Sequence, residues 1–162
     1  VAWALKNFRA AFGRIERVTL DGRTLTVALV KNPVGFNEVL RMLTGTSGGL
    51  TVPTMIAIND RHADGRDVSW LWDVDFELLA EGTALLGAAG LRGSDMANRL
   101  KYAGVDAERI TPLPADPRAA LLAFTAGIPP GGAGYVLPTY TAMLELRAAL
   151  ADMGAVERFW EQ

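Results

Sequence analysis

The first regular stretch of apolar positions runs from Arg17 to Val30, where Val18 and Leu20 precede Asp21-Gly22 and Leu25, Val27 and Leu29 follow it. Period-two alternation on both sides of an Asp-Gly pair, which tolerates positive φ, predicts a β-hairpin. The period then lengthens. Asn32-Pro33 offers a side-chain cap followed by a proline suited to the first helical position, and Phe36, Val39, Leu40 and Leu43 recur at helical spacing. A strand therefore feeds a helix through Lys31-Asn32-Pro33.

Residues 44–50 read as a flexible loop, and Met55 to Ile58 form a short apolar run of the kind that fills a buried parallel strand. From Asn59 to Glu77 the pattern is lost: six acidic residues surround two tryptophans without a clean period. This segment is expected to be an ordered surface loop running into a helix, and loops held on a rigid sheet are where function concentrates. Alternation then resumes. Thr83 to Ala88 predict a strand, and Ser94 is the expected cap of a helix carrying Met96, Ala97, Leu100 and Ala103 and closed by Gly104. Arg109 to Leu113 suggest a short strand, Asp116-Pro117 a capped helix start, Tyr135 to Leu137 a last strand and Thr139 to Met153 a last helix. Repeated alternation of strand and helix predicts an α/β fold, a mostly parallel sheet with helices on both faces.

The 162 residues suffice for one domain with a sizeable core and leave no room for a second catalytic domain. A net charge of -2 removes the electrostatic basis for non-specific nucleic-acid binding. There is no cysteine and one histidine, His62, so neither a disulfide framework nor a thiolate or histidine-rich metal site is expected. No apolar run approaches the roughly 20 residues of a membrane span, and residues 1–8 lack the order of a signal peptide. A soluble, cytoplasmic protein is expected. The chain opens on Val1 with its apolar positions already in mid-pattern, which reads as a segment excised from a larger enzyme.

Neither a GxxxxGK[ST] phosphate loop nor a regular dinucleotide fingerprint is present. The carboxylates of the central loop lack the spacing of a calcium loop, so most are read as solvating groups or helix caps, with Asp73 and Asp75 as helix-start carboxylates. No serine is placed to use His62, which is read as a solvated loop residue. Asp67 differs from its neighbours, because it follows Gly65 and precedes Trp70 and Trp72, whose burial would hold the loop rigid and aim one carboxylate outward. Lys31 follows a strand and precedes a helix N-terminus, where α/β sheets present charge to a phosphate or carboxylate, although an ordinary surface lysine fits the spacing equally. Trp70, Trp72 and Phe76 read as core more readily than as a ligand pocket.

Four stretches, residues 29–43, 56–79, 91–104 and 135–147, resemble the MurT family, the Mur-ligase-like subunits of lipid II isoglutaminyl synthase, and specifically their C-terminal domain. By that resemblance residues 1–16, ending in FGRIE, are the end of the central Mur ligase domain or a linker, and 17–162 the C-terminal domain. The resemblance implies an enzyme that amidates the D-glutamate α-carboxyl of the peptidoglycan stem peptide with ATP and glutamine, on lipid II at the inner face of the membrane. It implies ATP with Mg in the full-length parent and none bound by this domain alone, so the isolated domain is expected to be inactive. It also implies a GatD-like glutaminase partner, whose Cys-His pair would receive its third member from Asp67. Arg14, Lys31 and Asn32 would face the nucleotide and the acyl phosphate. Other Mur ligases commonly carry an acidic residue just before this lysine, where the present chain has Leu29 and Val30. Two readings from other classes stay open: a non-catalytic domain that docks a partner through its acidic, Trp-containing loop, and an independent nucleotide-binding protein.

Overall fold

The computed structural model describes residues 15–45 and 48–156. The described residues begin with β1 (Ile15–Leu20) and β2 (Arg23–Ala28), which pair antiparallel with Ile15 opposite Ala28. Asp21 at φ 47 and Gly22 at φ 73 make the turn between them, as the Asp-Gly pair requires. Helix α1 (Pro33–Thr44) follows, capped by Asn32, whose Oδ1 accepts the Gly35 N–H at 2.8 Å. Strand β3 (Thr54–Ala57), β4 (Leu86–Ala89), α2 (Gly93–Tyr102), β5 (Ile110–Pro112), α3 (Pro117–Ala126), β6 (Ala133–Pro138) and α4 (Tyr140–Asp152) complete the order. Asp116 caps α3 through the Ala119 N–H at 2.9 Å, with Pro117 at the first helical position.

The sheet order is β1-β2-β6-β3-β4-β5, and every pairing except β1 with β2 is parallel. Strands β3 and β4 are buried along their whole length, because successive residues feed two different cores. Ile56, Leu86, Ala88 and Leu137 face one side, with Phe36, Val39 and Leu40 of α1 and Met96 and Leu100 of α2. Met55, Ala57, Ala89 and Val136 face the other, with Leu121 and Phe124 of α3 and Leu146 and Leu150 of α4. Helices on both faces make this the expected α/β sandwich. Fully buried side chains such as Phe36 and Leu86 each contribute roughly 1.5–3 kcal/mol.

Three expectations about local structure are corrected. The segment after β3 does not run into an α-helix but folds as three short 3-10 turns, His62–Asp64, Ser69–Asp73 and Phe76–Leu79. Tertiary partners take the groups a helix would need: Arg99 holds the Leu71 and Val74 carbonyls, and Asn37 Oδ1 accepts the Asp75 N–H. Ser94 is not a cap. Helix α2 starts two residues earlier than a Ser94 cap implies, at Gly93, and Arg92 occupies the cap position without a capping side chain, held instead by its pairs with Asp60 and Asp95. The strand expected from Thr83 begins at Leu86, since the Thr83 and Ala84 N–H groups both turn to the Leu50 carbonyl.

Candidate functional site

The parallel strands end level with one another: Ala57 of β3 lies opposite both Ala89 of β4 and Pro138 of β6. From that common edge the chain departs in opposite directions. The segment leaving β3 and the helix after β2 cover the face that holds Phe36 and Leu71, whereas α4, leaving β6, covers the face that holds Leu146. Divergent exits from adjacent parallel strands open a crevice at the carboxyl edge of the sheet, the usual place for a site in an open α/β fold. Lys31, Asn59, Leu91 and Thr139 all follow strands at this edge.

Asn59 ties the edge together. It is 1% exposed, and its N–H donates to Thr139 Oγ1 at 3.0 Å. Its Nδ2 donates to Thr141 Oγ1 and Glu145 Oε2, both at 3.1 Å, while its Oδ1 accepts the Leu91 N–H at 2.9 Å. A buried amide with every group satisfied fixes its neighbours. Asp60 then pairs with Arg92 at 3.0 Å and Arg61 with Glu145 at 2.8 Å. The segment leaving β3 is thus bound to β4, β6 and α4 before it reaches its exposed part.

Asp64 receives the Thr141 N–H at 2.8 Å, the Thr141 hydroxyl and the Arg61 N–H at 3.1 Å. Gly65 follows at φ 88, a conformation that favours glycine, and Arg66 and Asp67 stand exposed beyond it. Asp67 Oδ1 accepts the Ser69 N–H at 2.8 Å. That backbone bond, together with the Ser69 hydroxyl, holds the carboxyl below the usual aspartate range, so it is an anion throughout the neutral pH range. Past Ser69 the chain returns to the core: Leu71, Val74, Phe76 and Leu79 are buried, Trp70 packs against Phe36 at 6.3 Å between ring centroids, and Phe36 meets Phe76 edge-on at 4.9 Å. Asp67 therefore projects from a short exposed turn anchored at both ends.

Trp72 does not act as expected. Its side chain is not buried but 53% exposed, because the fully buried position of its turn is Leu71. It meets Tyr102, itself 70% exposed, edge-on at 62°, and covers the Arg99 guanidinium 5.1 Å away. Phe76 is a core residue, as read from the sequence, and Trp70 packs against the core partly buried. Asp75 stands at the start of the Phe76–Leu79 turn, as a helix-start carboxylate would, but makes no capping bond and pairs with Arg41 at 3.2 Å. His62 is exposed.

Lys31 and Asn32 stand at the end of β2, and β6 separates that strand from β3, from which the Asp67 segment leaves. Strands β2 and β3 themselves lie two strand spacings apart, about 10 Å, so the two groups leave one edge from strands that are not neighbours. Lys31 is exposed, whereas the Asn32 carboxamide oxygen is already engaged in the cap of α1. With no N–H on Pro33 and the Gly35 N–H taken, this helix start offers few free donors, and the Lys31 ammonium is the group best suited to a phosphate. Val30 is buried in the core, so its position presents no side chain to a ribose. Arg14 lies outside the described residues. Among the described residues no group of three or more acidic or histidine side chains could hold a metal ion, and no helix is long and apolar enough to cross a membrane.

Sequence reasoning missed Asn59 and Asp64 because each looks like one more polar residue in a polar loop. Their partners, Thr139, Thr141 and Glu145, lie some eighty positions away. The usable signal was Asn59 itself, directly after a fully apolar run.

A family profile described as MurT ligase C-terminal matches residues 29–143. The chain is 34% identical over 151 residues, 93% of its length, to the lipid II isoglutaminyl synthase (glutamine-hydrolyzing) subunit MurT of Streptococcus pneumoniae. It is also 34% identical over 95 residues, 58% of its length, to the protein of the same name from Staphylococcus aureus strain COL. It spans 33% of the first relative and 21% of the second. A solved UDP-N-acetylmuramoyl-L-alanyl-D-glutamate--2,6-diaminopimelate ligase superposes with a TM-score of 0.45 at 14% identity, covering 89% of this chain and 32% of that one.

Proposed function

The chain belongs to the MurT ligase C-terminal family, and from that membership we propose that it serves as the C-terminal domain of a lipid II isoglutaminyl synthase. The parent would amidate the D-glutamate α-carboxyl of the stem peptide with ATP and glutamine, in the cytoplasm at the inner face of the membrane. A glutaminase subunit of the GatD kind would dock against this domain, and the parent's other domains would close over ATP and lipid II.

The observation that carries this reading is Asp67, an exposed carboxylate oriented by the Ser69 N–H on a turn anchored at both ends. A carboxylate so held suits a histidine on a docking partner: accepting its ring N–H fixes the tautomer and stabilises the imidazolium formed when a cysteine is deprotonated. Across the same edge, Lys31 would place positive charge beside a transferring phosphoryl group. ATP and Mg would supply carboxylate activation in the parent; this domain alone would bind neither and catalyse nothing.

The test is Asp67→Asn in the reconstituted two-subunit complex. The amide keeps the shape but presents a neutral group that holds the histidine in the wrong tautomer. Glutaminase turnover is expected to fall at least roughly a hundredfold, with complex formation by size exclusion near normal. A second reading, docking without a catalytic contribution, draws support from the exposed Trp72–Tyr102 pair. It predicts an intact complex with unchanged turnover in Asp67→Asn and weakened association in Trp72→Ala.

A further inference from the structure

Helix α4 begins with a threonine that does not cap it. Thr139 stands at the cap position, but its side chain makes no capping bond; its hydroxyl accepts the Asn59 N–H at 3.0 Å and lies 3.5 Å from the Ala57 carbonyl. The orphan N–H of the second helical residue, Thr141, is satisfied from outside, by Asp64 Oδ1 at 2.8 Å. The same carboxylate accepts the Thr141 hydroxyl and the Arg61 N–H, so both of its oxygens are engaged. Its negative charge also faces the positive end of the helix dipole. Asp64 is therefore a helix cap supplied from a distant loop, and the helix in turn grips that loop.

We propose that Asp64 is a positioning residue for Asp67, fixing the near end of the exposed turn by capping α4 from outside. The geometry behind this is short. Between Asp64 and Asp67 lie only Gly65, at φ 88, and Arg66, and Gly65 has no steric neighbour to restrain it. The far end of the turn is fixed by Leu71 and Trp70 in the core. With Asp64 removed, the loop keeps Arg61 on Glu145 and the Gly65 N–H on the His62 carbonyl but loses its last tie to α4 before the turn, and the Asp67 carboxylate would lose its direction while the core that supports α4, through Ala142, Leu146 and Leu150, stayed packed. Asp64 touches no substrate in this account.

This inference rests on the reading that Asp67 serves a glutaminase histidine, and the experiment separates the two. In the complex of the full-length parent with its glutaminase, kcat and KM for glutamine are measured for wild type, Asp67→Asn, Asp64→Ala, Thr141→Val and Asp64→Ala with Asp67→Asn, beside amidation driven by free ammonium. Asp64→Ala is expected to lower glutaminase kcat roughly tenfold to a hundredfold, the scale of a misplacement of about 1 Å, with KM within about twofold and ammonium-driven amidation unchanged. Thr141→Val, which keeps the backbone N–H and removes the hydroxyl that donates to Asp64 and accepts from Asn59, gives a fall in the same direction, and normal turnover in it overturns the positioning role should Asp64→Ala not assemble. In the Asp67→Asn background Asp64→Ala has no further effect, because both act through one carboxylate. If Asp67→Asn is impaired while Asp64→Ala and Thr141→Val turn over normally, the positioning role is overturned and the triad reading stands. If Asp67→Asn is itself unimpaired, both fall. Parallel loss of ammonium-driven amidation, or a further loss on Asp67→Asn, would make Asp64 merely structural and overturn the proposal.

Discussion

The Asn37 carboxamide accepts the Asp75 backbone N–H at 2.7 Å, so the helix that carries Lys31 and Asn32 at its start also holds the end of the segment that presents Asp67. The two halves of the candidate site share one support. Asn37→Ala removes that acceptor and is expected to destabilise the chain by about 1 kcal/mol, read as a lower denaturation midpoint with an unchanged slope.

Arg99 is a larger case. At 3% exposure it donates to the Leu71 carbonyl at 3.0 Å, the Val74 carbonyl at 2.8 Å and Glu77 at 2.8 Å, between the Trp72 and Phe76 rings. Arg99→Met leaves two carbonyls without their donor and should cost about 2–4 kcal/mol, with a change in tryptophan fluorescence as Trp72 loses its partner. Arg99→Lys is expected to recover little, since one ammonium cannot reproduce the guanidinium fork.

Asn59→Asp exchanges two donors for a carboxylate that faces Glu145. Like charges in a buried site push the new carboxyl pKa up. A raised folded pKa contributes stability below the unfolded value and loses it as pH rises through the folded one, so this variant should be more stable at pH 5 than at pH 8 relative to wild type. Denaturation at the two pH values checks it; equal differences would refute the assignment.

Tyr135 lies on β6, half-buried against the core, and burial raises its phenol above its ordinary value while Arg17 pulls it back. The folded state therefore holds this proton more tightly than the unfolded chain. Its contribution is complete below about pH 10 and disappears as pH rises through the higher folded value. Tyr135→Phe should lack that part of the alkaline loss, seen by comparing midpoints from pH 8 to 11.

For Asp67, the carboxyl-carbon NMR signal should titrate below the usual aspartate value of about 3.9, since the Ser69 N–H and hydroxyl favour the anion. Ser69→Ala keeps the N–H and removes the hydroxyl, and should return the midpoint part of the way. A midpoint at or above the ordinary value would remove this account of the turn.

What the sequence made legible follows from how local each signal is. The Asp21-Gly22 hairpin, the Asn32-Pro33 and Asp116-Pro117 starts and the buried run of β3 are each encoded by adjacent residues, and each forms where the pattern places it. Segment 59–80 was misread as leading into a helix because its conformation is set by Arg99, Asn37 and Thr141, partners remote in sequence. Trp72 was expected to be buried for the same reason: aromatic character alone does not say which of Trp70, Leu71 and Trp72 turns inward. The Ser94 cap failed because Arg92, pinned by two carboxylates, starts the helix two residues earlier.

Strand β6 is the last strand of the described residues and yet the third in the sheet, lying between β2 and β3. The hairpin on one side and β3-β4-β5 on the other pair with each other only through it. During synthesis the earlier strands must wait with two open edges until residues 133–138 clear the ribosome, so this sheet cannot form strand by strand in the order of the sequence. A nascent chain stalled before β6 should remain sensitive to protease and bound by chaperones, and the same chain released a few dozen residues later should close in one cooperative step.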